Sequence, residues 1–213
     1  AIRTKYFWYL IWFLPLGGVF IWFIYHQFGK SVANGMKMVF HVGLGKNTKL
    51  PIRMVPLSVI GTWTTHLFGG SAGREGVAVQ IGAAVSNNIG RLVDKTIDIE
   101  NSRKMFLITG MAAGFSGLFC TPLAAIFFAL EVLVAGKLEY HALIPATVAS
   151  ISAAFTSRAL GLRKFHINIL ETLNYHPSTY NAVLLLKLAA MGLVFGIVGS
   201  LFALILRYLR LKF

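Results

Sequence analysis

Residues 69–82 read Gly69-Gly70-Ser71-Ala72-Gly73-Arg74-Glu75-Gly76-Val77-Ala78-Val79-Gln80-Ile81-Gly82, a glycine-dense turn followed by an apolar helix. Glycine lets the backbone approach a ligand closely, and the first turn of a helix offers free N–H groups at the positive end of the helix dipole. The turn therefore predicts an anion site where the helix begins, near Glu75. A carboxylate there competes with the anion for the same N–H groups, so protonation of Glu75 would be linked to anion binding.

Glu75 has a second interpretation, because an acidic residue in the first turn of a helix often serves only as a cap. Its apolar surroundings favour the functional interpretation, since an ionisable side chain at membrane depth is costly and marks a functional site. The chain has seven acidic residues, and only Glu75 and Glu131 lie in apolar segments. Glu131 is predicted to be either a hydrogen-bonded structural acid or a proton relay.

The composition is that of an integral membrane protein, expected in the cell membrane as a multi-pass protein. Hydrophobic residues make up 56% of the chain and charged residues only 13%, which is more apolar than a soluble domain requires. The net charge of +13 does not indicate a nucleic-acid partner, because the basic residues are scattered among the connections without a recognition motif. Contact with the lipid bilayer and membrane topology account for these charges better.

Apolar segments along the chain predict an all-α membrane protein of spanning and half-membrane helices. The predicted helical segments are residues 6–28, 54–69, 75–92, 105–119, 122–135, 141–160 and 181–206, with a short helix inside the polar connection 30–53. Residues 105–119 and 122–135 are too short to cross a bilayer, at about 21 Å each. They are expected to meet inside the protein, where ion transporters form sites from broken helices. Gly110 and Gly114 predict close packing against another helix.

Gly73-Arg74-Glu75-Gly76, followed by Val79-Gln80-Ile81-Gly82, resembles the gating-glutamate motif of the CLC family of anion channels and anion/proton exchangers. Thr109–Phe115, Thr121–Ala125 and Phe128–Glu131 look like the next two helices of that family, in the same order. The resemblance implies a CLC-type bundle and a homodimer. Residues 1–213 would then be a partial CLC transport domain, one inverted-repeat half plus the start of the second, without a separate soluble domain and with the second half absent.

A second motif bears on the choice of anion. Ala33-Asn34-Gly35-Met36-Lys37 stands where chloride-type members carry a Gly-Ser-Gly-Ile-Pro loop, and looks like the fluoride-exporting branch, in which a methionine enters the anion site. From spacing alone, a plain turn with Met36 as core filler is the alternative. Glu131 is followed by Val132, where the resemblance implies a second glutamate in chloride/proton exchangers. This difference disfavours such an exchanger.

The expected function is fluoride export coupled to proton import, with Glu75 as the gating and proton-accepting residue. Fluoride is strongly hydrated, so its site must replace water with hydrogen-bond donors. The candidates are the Asn34 amide, the backbone N–H groups of Gly35, Met36, Gly76 and Val77, and the positive potential of Arg74. A CLC chloride channel or chloride/proton exchanger is the alternative, and a structural membrane subunit remains open.

An enzyme is not expected, since no nucleophile, base and orienting acid occur together. The histidines of residues 161–180 lie ten residues apart without partner ligands, so the sequence predicts no metal site there. No other cofactor is expected.

Overall fold

The computed structural model of this chain describes residues 9–30, 32, 34–46, 50–93, 102–133, 136–162 and 182–212. Within these ranges every regular element is helical, which confirms the predicted all-α class. The chain divides into two units, Ala1–Lys164 and Phe165–Phe213. The polar connection predicted at residues 161–180 lies almost entirely outside the described residues.

Among the residues that the structure describes, the first unit has seven α-helices and two short 3-10 turns, and the second has one long helix. In chain order they are a 3-10 turn at Ile11–Phe13, α1 at Leu14–Phe28, α2 at Met36–Gly43, α3 at Met54–Leu67, α4 at Glu75–Val93, α5 at Ser102–Phe119, α6 at Pro122–Glu131, a 3-10 turn at Tyr140–Ala142, α7 at Leu143–Ala159 and α8 at Ala182–Lys212. All eight helices were predicted from the sequence, although several boundaries differ.

The pair α5 and α6 departs from the predicted lengths in opposite directions. α5 begins at Ser102 rather than Met105 and has 18 residues. Its first turn is held by an ion pair, with Lys104 Nζ 2.6 Å from Glu139 Oε1, so the charged residues before Met105 join the helix. α6 has only ten residues, about 15 Å, and ends at Glu131. The prediction of a half-membrane helix is therefore confirmed for α6, whereas α5 is longer than predicted.

The break between α5 and α6 is two residues long, as the sequence predicted. Cys120 has a φ of 53° and donates its N–H to the carbonyl oxygen of Ser116 at 2.7 Å, which ends α5. Pro122 then begins α6, because proline is tolerated in the first turn of a helix, where its missing N–H would have no partner.

Small residues bring α5 into close contact with both of its main neighbours. A Cβ added to Gly82 of α4 would overlap the Gly110 carbonyl oxygen, and one added to Gly114 would overlap the Ala78 carbonyl oxygen. On the other side, the hydroxyl of Ser116 donates to the carbonyl oxygen of Ser150 in α7 at 2.7 Å. The predicted packing role of Gly110 and Gly114 is confirmed.

Within the described ranges, two helical segments are long and apolar enough to cross a membrane, Ile11–Phe28 and Leu185–Leu209. Leu185–Leu209 lies in the second unit and has no buried residue. Large apolar side chains are also exposed on other helices of the first unit, including Trp63 at 74% and Ile144 at 77%. Apolar surface of this extent is suited to lipid or to other protein segments rather than to water.

Candidate anion site at the start of α4

Glu75 is the first residue of α4, so the acid lies at the predicted helix start. The first helical hydrogen bond is donated by Ala78 N–H to the Arg74 carbonyl oxygen at 3.0 Å. In the described part of the chain, no backbone bond is donated by Glu75, Gly76 or Val77, as expected for a first turn. Three N–H groups and a carboxylate therefore share this end of the helix.

The Glu75 side chain turns back over the glycine turn that precedes it. A Cβ added to Gly73 would lie 3.0 Å from Glu75 Oε2, so the absence of a side chain at Gly73 makes room for the carboxylate. Glu75 and the neighbouring residues Arg74 and Gly76 are exposed in this chain. In this chain the start of α4 therefore lies on the surface of the bundle.

The second predicted motif forms a tight turn at the start of α2. Gly35 has φ 50° and ψ −127°, a conformation suited to glycine. Its N–H donates to the Val32 carbonyl oxygen at 3.0 Å, and Lys37 N–H donates to the Asn34 carbonyl oxygen at 3.1 Å. The Gly35 N–H is thus engaged in the turn, whereas the Met36 N–H donates no such bond to any described residue.

Gln80 connects the two motifs, although it was not among the site residues predicted from the sequence. A Cβ added to Gly35 would lie 3.4 Å from Gln80 Nε2, so the carboxamide packs against the turn. Gln80 follows Glu75 by five residues, about 7.5 Å along the helix axis. The turn around Gly35 therefore lies beside α4, more than one helical turn from Glu75. Gly76 lies four residues before Gln80, so the two residues share one face of α4. This spacing is the signal that would have identified Gln80 from the sequence.

The remaining predicted ligands are placed in different surroundings. Asn34 is exposed, Met36 is half-buried against the hydrophobic core, and Val77 lines a cavity together with Gln80. Arg74 lines a different, apolar groove with Trp63 and other residues of α3. Arg74 and Val77 are thus directed to different cavities, although they are three residues apart.

The cavity beside Val77 has a volume of about 300 Å³ and lies between α1, α3 and the start of α4. Half of its lining residues carry polar side chains, namely Tyr25, Ser58, Thr62, Thr65 and Gln80. None of its lining residues carries a charge. Gly73 also lines it, so the cavity reaches the turn against which the Glu75 carboxylate packs.

Glu131 is the last residue of α6 and is exposed in this chain. The helix stops there, so the side chain leaves the bundle. Its carboxylate accepts a hydrogen bond from Gly136 N–H at 3.3 Å, as predicted for a hydrogen-bonded structural acid. Among the described residues, no three His, Cys, Asp or Glu side chains cluster as a metal site.

The long apolar helices and the extensive exposed apolar surface define a helical membrane protein. The sequence model of the family described as voltage gated chloride channel matches residues 17–212. The chain belongs to this family, the CLC family, as its motifs predicted.

Individual relatives and a solved structure agree with this assignment. The chain is 38% identical over 195 residues to a chloride/fluoride channel protein of Pseudomonas syringae pv. tomato, covering 92% of this chain and 41% of that protein. It is 34% identical over 157 residues to the H(+)/Cl(-) exchange transporter ClcA of Citrobacter koseri, covering 70% and 30% respectively. A crystal structure of a CLC-type fluoride/proton antiporter is 45% identical, with a TM-score of 0.81. That similarity covers 93% of this chain and 48% of the antiporter chain, so this chain spans less than half of each of these proteins.

Proposed function

We propose that this chain is one inverted-repeat half of a CLC transport domain, with the start of the second half. The full-length protein would reside in the cell membrane as a homodimer and export fluoride in exchange for protons. The observation that carries this proposal is the shared position of Glu75 and three free N–H groups at the start of α4, a helix that also contacts the Asn34–Met36 turn. The names of the relatives, two of which include fluoride, support the choice of anion.

In the proposed cycle, Glu75 and the anion alternate at one place. The charged carboxylate accepts hydrogen bonds from the N–H groups of Gly76 and Val77 and blocks the anion pathway. When Glu75 takes up a proton it loses its attraction to those groups, and fluoride takes its place. The Asn34 amide and the Met36 N–H supply further donors, Gly35 supplies the turn conformation, and Arg74 adds positive potential.

A chloride channel or chloride/proton exchanger is the second candidate, because two relatives include chloride in their names. Two sequence features favour fluoride instead. The loop that contains Met36 has no serine, unlike the corresponding loop of chloride-type members. Val132 occupies the position where chloride/proton exchangers are expected to have the proton-relay glutamate.

The two candidates differ in what liposomes containing the full-length protein release. We expect fluoride efflux at least about tenfold faster than chloride efflux, with external alkalinisation as protons enter. A fluoride electrode, a chloride electrode and a pH electrode on matched preparations measure the three fluxes. Equal chloride and fluoride rates would contradict the fluoride proposal, and anion efflux without proton entry would favour a channel.

Gly35→Ala is expected to slow fluoride efflux at least about tenfold. The added Cβ is strained at φ 50° and contacts the Gln80 carboxamide, so the turn and the side chain beside it must both shift. Gly45→Ala is the matched control, since Gly45 has φ 74° but nothing within 4 Å of an added Cβ. Efflux rates normalised to folded protein provide the comparison. Equal slowing in both variants would mean that backbone strain alone, and not the contact with Gln80, is responsible.

A further inference from the structure

The cavity between α1, α3 and α4 has donors that the proposed cycle does not use. Ser58 is buried, with 6% exposure, and lines the cavity with Tyr25 and Thr62. In the described part of the chain, no hydrogen bond is found for the side-chain hydroxyl of Tyr25, Ser58 or Thr62, or for the Gln80 carboxamide. Four hydrogen-bond donors are therefore available around one space in an otherwise apolar bundle.

Thr65 differs from these four residues, although it lines the same cavity. Its hydroxyl donates to the Gly61 carbonyl oxygen at 2.8 Å, one turn earlier in α3. The hydroxyl proton is thus already in use and cannot be donated to a ligand. Thr65 provides an internal comparison for Thr62, which is three residues earlier on the same helix.

Two of the residues that line the cavity contact the two motifs of the proposed anion site. At one end it is lined by Gly73, over which Glu75 Oε2 packs. At the other end it is lined by Gln80, whose Nε2 contacts Gly35. Glu75 and Gln80 are about 7.5 Å apart along the helix axis, and the cavity lies beside this part of α4.

The size and lining of the cavity indicate what it holds. A volume of about 300 Å³ has room for several water molecules, since one water needs about 10–15 Å³ of such space. A small anion in such a space keeps part of its water and gains hydrogen bonds from hydroxyl and amide donors. Neutral donors suit an anion that accepts strong hydrogen bonds, and fluoride accepts stronger hydrogen bonds than chloride.

We propose that this cavity is a second, hydrated anion site, in which Thr62, Ser58, Tyr25 and Gln80 donate to fluoride and its water. Gln80 faces both this site and the Gly35 turn, and passes the ion from one to the other. The inference rests on fluoride being the transported anion. It adds a binding site between α1, α3 and α4 to the site formed by Glu75 and the Asn34–Met36 turn.

The test compares two threonine variants of the full-length protein in detergent. Thr62→Val removes a free donor and Thr65→Val removes an engaged hydroxyl from the same cavity by the same substitution. Isothermal titration with sodium fluoride should give a dissociation constant raised at least about tenfold for Thr62→Val, because one hydrogen bond to a charged ligand is lost. The constant for Thr65→Val should stay within about threefold of the unaltered protein.

Ser58→Ala provides a second variant should Thr62→Val fail to fold, and it is expected to weaken fluoride binding in the same direction. Equal dissociation constants for the unaltered protein, Thr62→Val and Ser58→Ala would overturn the cavity site. Binding is measured without a membrane or a proton gradient, so the two proposals fail separately. A protein that binds fluoride through Thr62 but moves no protons would overturn the exchange function and leave the cavity site standing.

Discussion

Glu75→Gln is expected to give a protein that moves fluoride without moving protons. Glutamine keeps the shape of the side chain at the start of α4 but takes up no proton, so the link between anion movement and protonation is lost. We expect the ratio of protons to fluoride ions moved to fall at least about tenfold. Fluoride and pH electrodes that record the same liposome suspension give this ratio directly.

The same variant should also lose the pH dependence of transport. In the proposed cycle, proton uptake by Glu75 leaves the N–H groups of Gly76 and Val77 to the anion, so fluoride efflux should rise when more protons are supplied. A glutamine at residue 75 is neutral at every pH, so its efflux should change less than about twofold over the same range. Preserved proton coupling in Glu75→Gln would remove Glu75 from its proposed role.

Glu131→Gln is the matched control, because both acids are exposed and lie at a helix end. The Glu131 carboxylate accepts a hydrogen bond from Gly136 N–H, which a glutamine oxygen can also accept. Coupling should therefore be retained. If Glu131→Gln alone lost the coupling of proton and fluoride movement, Glu131 would be the proton relay, which is the alternative role considered for it from the sequence.

Gly82→Ala is expected to have the largest effect on stability. An added Cβ would overlap the Gly110 carbonyl oxygen and lie 3.1 Å from the Gly114 Cα, so two helix backbones must separate. The neighbouring atoms belong to backbone and cannot rotate away, which puts the cost at about 3 kcal/mol or more. Tm should fall by about 10 °C, as followed by thermal unfolding of the protein in detergent.

Gly117→Ala is the control for that experiment, because Gly117 is a helical glycine in α5 whose added Cβ would overlap no neighbouring atom. The nearest atom to its added Cβ is the Ala153 Cβ at 3.8 Å, an ordinary contact. Alanine is about 1 kcal/mol more favourable than glycine inside a helix, so Tm should stay constant or rise slightly. If Gly82→Ala and Gly117→Ala unfold at the same temperature, the close crossing of α4 and α5 is not what stabilises the bundle.

Local signals were enough to predict the helices and their breaks. The apolar segment from Met54, the glycine turn before Glu75 and the proline at Pro122 each act within a few residues, where backbone conformation and hydrogen bonding are decided. The placement of Glu75 beside the free N–H groups at the start of α4 is also a local property, and it was predicted from the sequence. Boundaries that depend on distant partners were predicted less well, as in α5, whose first turn is held by Glu139.

The partner of each helix face was settled by packing in three dimensions. The spacing of Gly110 and Gly114 predicts a close helix contact. It does not predict that Gly82 and Ala78 of α4 are the residues they contact. Gln80 and Gly35 are 45 residues apart in sequence, and no local pattern brings a carboxamide against that turn. The order of residues in the chain determined which groups are available, because helix ends and turns are local. Which of those groups meet, and which cavity lies between them, depended on how the helices cross, because side-chain packing joins residues that are distant in sequence.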